Sequence, residues 1–164
     1  GVTPRGIPGH GDGLVVVDSD EHDQKGHITE DHDIRTRMVQ KRLQKSEALV
    51  REALPPEWIG PRDAETLVLC WGSTVHLATE AITKTKDGNQ AVLYFKQVHP
   101  LPTGAADLIR KAKRLCIVEN NATGQFAQII QSQLQTDIPT KILKYNGLPF
   151  TVEELAHELD AAVG

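Results

Sequence analysis

The sequence predicts an α/β fold with a mostly parallel sheet covered by helices on both faces. Three observations carry this. From Glu65 onward, short apolar runs alternate with stretches of helical periodicity. The runs are continuous rather than alternating, as strands buried on both faces require. Turn or helix-opening residues separate them, so the order strand, helix, strand, helix implies right-handed crossovers between parallel strands.

Taken in order, residues 1–13 hold five Gly and two Pro and read as a connecting loop. Leu14–Val17 is a short apolar run expected to be a strand. Asp18–Asp33 is polar and rich in Asp, Glu and His, which suits an exposed loop. Residues 31–54 form a long helix, with Val39, Leu43, Val50 and Leu54 on one face. Asp31 or Asp33 caps its start, and Pro55-Pro56 stops it. Trp58-Ile59-Gly60-Pro61 is read as a connector.

Thr66–Trp71 is then a buried strand, and Gly72-Ser73-Thr74 opens a helix running to about Lys86. Asp87-Gly88-Asn89 turns the chain into a strand at Ala91–Gln97. Pro100 to Thr103 leads into a helix at 104–113, and Arg114–Glu119 is the next strand. Asn120–Thr123 is a loop, 124–135 a helix and Thr140–Lys144 a short strand. Thr151 followed by Glu154 makes a capping box for a last helix ending near Val163. The expected organisation is a connecting segment with a first strand at 1–30, a long helix and connector at 31–62, and the α/β part at 63–164, all one structural domain.

Composition narrows the function. The chain has 164 residues, with 39% apolar and 24% charged, which suits a globular protein with a real core. Lys and Arg number 18 against 22 Asp and Glu, a net charge of −4. An acidic chain with 4% aromatics is a poor ligand for phosphate backbones and lacks base-stacking platforms, so no nucleic-acid partner is expected. No apolar stretch reaches the roughly 18 residues that span a bilayer, and no membrane is expected. No basic and apolar leader opens the chain, and Gly1 stands where Met would, so an excised, cytoplasmic piece is expected. Cys70 and Cys116 lie in apolar runs and read as small buried hydrophobes in a reducing compartment, with a catalytic thiol as the lesser reading.

Ligands of open α/β sheets bind beyond the carboxyl ends of the strands, at helix N-termini. Two loops qualify. Gly72-Ser73-Thr74 offers close backbone approach and two hydroxyls, against an ordinary helix cap as the plain reading. Glu119-Asn120-Asn121-Ala122-Thr123-Gly124-Gln125 crowds polar side chains at a strand end, and its three consecutive polar residues exceed what one cap needs. His10, His22, Asp23, His27, Asp31 and His32 could be imagined around a metal, but their spacing fits no compact ligand pattern, so none is assigned. Arg35, Arg37, Lys41, Arg42, Lys45 and Arg51 form either a solvated face or a docking strip for an acidic partner. No nucleophile elbow, P-loop or dinucleotide fingerprint is present.

Several stretches together resemble one family. They are Gly1-Val2-Thr3-Pro4-Arg5-Gly6-Ile7-Pro8-Gly9, Asp20-Glu21-His22-Asp23 with Gly26-His27-Ile28-Thr29-Glu30-Asp31, and Arg37-Met38-Val39 with Lys41-Arg42. To these add Trp71-Gly72-Ser73-Thr74, Val118 through Phe126, and Leu143 through Phe150. In order, they resemble the C-terminal part of the α subunit of 2-oxoacid:ferredoxin oxidoreductases, nearest the 2-oxoglutarate type. The resemblance implies a domain like the transketolase C-terminal domain: a five-stranded mixed sheet between helices, order 1-3-2-4-5, strand 1 antiparallel. Leu14–Val17 would be that strand, and a crevice would open between Gly72–Thr74 and Asn120–Gly124.

It further implies a role in oxidative decarboxylation with thiamine diphosphate, Mg²⁺, coenzyme A and an iron–sulfur cluster. All of these would be held elsewhere in the complete enzyme, since this piece has no cysteine array and no Gly-Asp-Gly diphosphate motif at a helix start. By the same match, Thr3 and Arg5 would bind the 2-oxoacid carboxylate, Arg5 through a charge-assisted pair. The implied partners are a thiamine-binding β subunit, a γ subunit and, through the complete enzyme, ferredoxin, with self-association in isolation. A flavodoxin-like module for a small anion or nucleotide, and the C-terminal domain of a transketolase or dehydrogenase E1 enzyme, are the rival readings.

Overall fold

Leu67, Val68, Leu69 and Cys70 are fully buried, which makes their strand the middle of the molecule's sheet. A computed structural model describes residues 6–16 and 20–163. Its elements are α1 (His32–Arg51), β1 (Glu57–Ile59), β2 (Thr66–Trp71), α2 (Thr74–Lys84), β3 (Gln90–Phe95), α3 (Ala105–Ile109), β4 (Arg114–Glu119), α4 (Gln125–Leu134), β5 (Thr140–Leu143) and α5 (Val152–Val163). They divide between two compact units, Gly1–Leu49 and Val50–Gly164.

The second unit is the sheet and its covering helices. The strand order is β1-β3-β2-β4-β5. β2 pairs in parallel with both β3 and β4, β4 pairs in parallel with β5, and β1 runs antiparallel to β3. The predicted mixed sheet is therefore present, with helices on both sides. Alternation along β2 sends Leu67 and Leu69 to one face and Val68 and Cys70 to the other. On the first face they meet Ala105 and Ile109 of α3 and Phe126, Ala127 and Ile130 of α4. On the second they meet Val75, Ala78 and Ala81 of α2 and Leu155, Ala156 and Leu159 of α5. The capping box forms as read: Thr151 N–H donates to Glu154 Oε2 at 2.8 Å, and Glu154 N–H to Thr151 Oγ1 at 3.1 Å.

The expectation for the first strand is corrected. Leu14–Val16 has no partner strand, and Leu14 and Val16 are exposed; Val17 lies outside the described residues. The antiparallel strand is instead Glu57–Ile59, in the stretch read as a connector, with Trp58 opposite Leu93 and Ile59 opposite Val92. Trp58 packs on one core face and Ile59 on the other. Gly60 lets the strand leave: at φ +113°, a Cβ there would come within 3.3 Å of Gln90 O and Ala91 Cα. The helix expected at 104–113 is only Ala105–Ile109.

The first unit centres on α1. Asp31 caps it, its Oδ1 accepting Asp33 N–H at 2.8 Å and Ile34 N–H at 2.9 Å. A single bridge joins His22 and Ile28 within the stretch read as a loop. Met38 is buried, whereas Val39 and Leu43, expected to share an inward face, are exposed. Arg42 grips Glu21 through two bonds, Nη1 to Oε1 at 3.1 Å and Nη2 to Oε2 at 2.6 Å.

Two outcomes follow from these contacts. Leu69→Ala opens a cavity beneath the layer formed by α3 and α4 and lowers stability by about 2–5 kcal/mol, measured by urea unfolding. The Arg42 guanidinium, aided by the His22 N–H bond, holds the Glu21 carboxyl at about 2, against an ordinary value of 4.5. The pair's contribution is therefore complete above 4.5 and is lost as pH falls from there toward 2. Amide NMR signals around His22 and Ile28 will titrate in that window, and Glu21→Gln will abolish the step.

Candidate functional site

The site is built by two strand ends. β2 and β4 pair through Leu69↔Ile117, and each strand runs two residues further, to Trp71 and Glu119, before the loops that begin at Gly72 and Asn120. Adjacent strands lie about 5 Å apart, so the two loops open side by side at the carboxyl edge of the sheet. After β2, α2 folds onto one face and leads to β3. After β4, α4 folds onto the other face and leads to β5. The two helices diverge from neighbouring strands, which is the geometry of a topological switch point. The structure thus brings together Gly72, Ser73, Thr74, Glu119, Asn120, Asn121, Thr123, Gly124 and Gln125. Thr3 and Arg5 lie outside the described residues.

The second loop is held by its own polar residues. Glu119 is 1% exposed. Its Oε2 accepts Phe126 N–H at 2.9 Å and Asn121 Nδ2–H at 2.8 Å, and its Oε1 accepts Ala127 N–H at 3.0 Å. Asn121 Oδ1 in turn accepts N–H groups of Thr123 at 3.1 Å, Gly124 at 2.8 Å and Gln125 at 3.2 Å. Two side chains therefore take up the donors that the first turn of α4 leaves open. Gly124 completes the lock in a left-handed conformation, φ +63°, where an added Cβ would crowd Lys141 Cδ at 3.3 Å. Of the three consecutive polar residues at this strand end, only Asn120 makes no such bond and faces solvent.

The first loop is different. Thr74 Oγ1 donates to Trp71 O at 2.7 Å, closing the turn. Ser73, at the N-terminus of α2, makes no side-chain cap, so this helix start keeps its N–H groups toward the opening. Trp71 is 37% exposed at the rim. Its ring centroid lies 6.2 Å from that of Phe126, which in turn meets Phe95 edge-on at 5.0 Å. Sequence reading passed over Trp71 as part of a buried strand. The signal available was its place as the last strand residue before a glycine.

The thiols do not serve the site. Cys70 and Cys116 are buried, and burial pushes both up to about 12, so they stay protonated and inert. Two such thiols do not fit an iron–sulfur cluster, which is held by thiolates. Among the described residues, no group of three His, Cys, Asp or Glu is placed to hold a metal ion. Asp23 and Asp31 are spent on backbone N–H groups of their own loops.

Glu119 supplies a sharp test. Glu119→Gln turns an acceptor into a donor facing backbone donors, so stability falls by about 3 kcal/mol, read by chemical denaturation. Asn120→Ala, one residue on and unbonded, leaves stability within about 0.5 kcal/mol.

No family model matches the chain. Curated relatives do. The α subunit of 2-oxoacid:ferredoxin oxidoreductase 1 from Sulfurisphaera tokodaii is 28% identical over 164 residues, covering 97% of this chain and 26% of that subunit. The corresponding subunit from Aeropyrum pernix is 34% identical over 145 residues, covering 83% of this chain and 22% of its own length. The chain thus spans about a quarter of the length of the curated relatives it matches. Among solved structures, 2-oxoglutarate:ferredoxin oxidoreductase from Magnetococcus marinus, with 2-oxoglutarate, coenzyme A and succinyl-CoA bound, superposes with a TM-score of 0.77. It is 22% identical and covers 98% of this chain and 29% of that one, a likeness of fold. By sequence, the chain is similar to a portion, about a quarter of the length, of 2-oxoacid:ferredoxin oxidoreductase α subunits.

Proposed function

We propose that this chain is a structural portion of a cytoplasmic 2-oxoacid:ferredoxin oxidoreductase α subunit, forming one wall of the site where a 2-oxoacid is oxidatively decarboxylated. The observation that supports this most is the match to α subunits along 97% of the chain. The switch-point geometry at the ends of β2 and β4 supports putting that wall at the loops after Trp71 and Glu119. Thiamine diphosphate, Mg²⁺, coenzyme A and the iron–sulfur cluster would be supplied by the rest of the complete enzyme, whose β subunit, and a γ subunit where one exists, would be the partners. Ferredoxin would receive the electrons through that assembly.

Within this reading, Arg5 binds the carboxylate of the 2-oxoacid, with Thr3 beside it. The buried thiols and the filled start of α4 suit a rigid wall that contributes shape and hydrogen-bond donors, and no proton or electron transfer of its own. A stand-alone module for a small anion would have to bind at the start of α2 alone, because Glu119 and Asn121 already hold the N–H groups of α4.

The test uses the complete enzyme and the isolated chain together. The isolated chain is expected to self-associate and to show no 2-oxoacid oxidation. In the complete enzyme, Arg5→Ala raises KM for the 2-oxoacid about tenfold or more, with kcat little changed, in 2-oxoacid-dependent ferredoxin reduction. An unchanged KM removes Arg5 from the substrate site. Tight calorimetric binding of a nucleotide or coenzyme A by the isolated chain would favour the stand-alone module instead.

A further inference from the structure

The charge left unbalanced within the first unit lies along α1. The helix carries six cations against two carboxylates, and among the described residues only its Arg42 has an ion pair. Arg37, Lys41 and Lys45 recur every four residues, which sets them in one row along the helix. All three are exposed. Lys25, exposed and unpaired in the turn before α1, joins Arg37 in lining a cavity of about 230 Å³. The other walls of that cavity are Asp23, Gln24, Ile34 and the buried Met38.

Three carboxylates lie near the start of this row: Asp33, four residues before Arg37 on the same face, and Asp23 and Asp31, which bond backbone N–H groups. Asp23 Oδ1 accepts the N–H groups of Lys25 at 2.8 Å and His27 at 3.0 Å, and its Oδ2 lies 3.5 Å from His27 Nδ1. Asp31 is held below its ordinary range by the N–H groups of Ile34 and Asp33 that it caps, with Arg37 adding a weaker attraction. The row still carries more cations than carboxylates and faces solvent, beside a pocket in which Ile34 and Met38 meet Asp23, Gln24, Lys25 and Arg37.

We propose that the row of Lys25, Arg37, Lys41 and Lys45, with the cavity beside Met38, docks an acidic segment of a partner protein. An apolar side chain of the partner fills the cavity against Ile34 and Met38, and flanking carboxylates meet the four cations. Charge complementarity selects the acidic segment, and the Ile34 and Met38 part of the cavity favours a peptide over a phosphate polymer, which has no apolar side chain to offer. This surface is independent of the crevice between Gly72 and Asn120 and of the function proposed for it.

Met38 is the single methionine of the chain, so methyl-labelled methionine gives one NMR signal at the cavity. The probe is a short synthetic peptide alternating Leu and Glu, with an all-Glu peptide and a short single-stranded oligonucleotide as comparisons. The Met38 signal is expected to shift saturably with the Leu/Glu peptide and more weakly with the all-Glu peptide. Affinity is expected to fall about tenfold when salt is raised from low to moderate strength. Arg37→Glu with Lys41→Glu abolishes the shift, and the milder Arg37→Gln with Lys41→Gln weakens it while leaving the free spectrum intact. An unmoved Met38 signal, or one that moves equally in both double variants, overturns the proposal. A shift with the oligonucleotide as large as with the peptide replaces it with a phosphate-binding surface.

Discussion

A carboxylate buried at the end of a strand governs the geometry of the carboxyl edge. Taking the Glu119 charge out of water costs several kcal/mol unless it is richly bonded. Here it receives two backbone N–H groups and one amide N–H, all at 3.0 Å or less, from the positive end of α4. Those bonds fix the helix to the strand that precedes it. They also fix Phe126, whose ring links Trp71 at the rim to Phe95 in the core. The polar lock and the aromatic stack are thus one device, because the residue that donates its N–H to Glu119 is the residue whose ring supports the opening.

That device makes the two walls of the opening unlike. On the α4 side, the first-turn donors are filled by Glu119 and Asn121, and Gly124 brings the backbone close at an angle few other residues adopt. On the α2 side, Ser73 makes no cap, and the turn is closed by Thr74 onto a carbonyl. One wall is finished by the chain itself, and the other keeps its donors. The division sits where the chain leaves two neighbouring strands in opposite directions, from β2 to β3 and from β4 to β5.

Much of this was legible in the residues. Continuous apolar runs located β2, β3 and β4 because strands covered on both faces need no polar alternation. The Thr151 and Glu154 pair marked the start of α5 because its two reciprocal bonds are local. β1 was not legible. Three residues carry no period, and Glu57–Ile59 is a strand only because β3 offers it an edge. Leu14–Val17 failed for the converse reason, since strand propensity without a partner makes no strand. At the second loop two of the three polar residues are spent on the first turn of α4 and the loop before it. The sequence could not tell that Glu119 turns inward, because that depends on where α4 lands. The cue was a carboxylate at a strand end, an Asn two residues on and a Gly three residues beyond it.

The same physics bears on Cys70, Cys116 and Glu119. A side chain that moves protons or electrons needs an accessible or tunable charge. The two thiols sit in the dry layer between β2, β4 and their helices, where ionisation is suppressed. The buried carboxylate is bonded to the first turn of α4 and to Asn121. Withdrawing these groups from chemistry is what makes the strand ends stiff, and stiffness is the useful property of a surface that must hold its shape while reactive groups on other parts of an assembly do the work. In this chain, the proposed division of labour between wall and reaction centre is set by the choice to bury Cys70, Cys116 and Glu119.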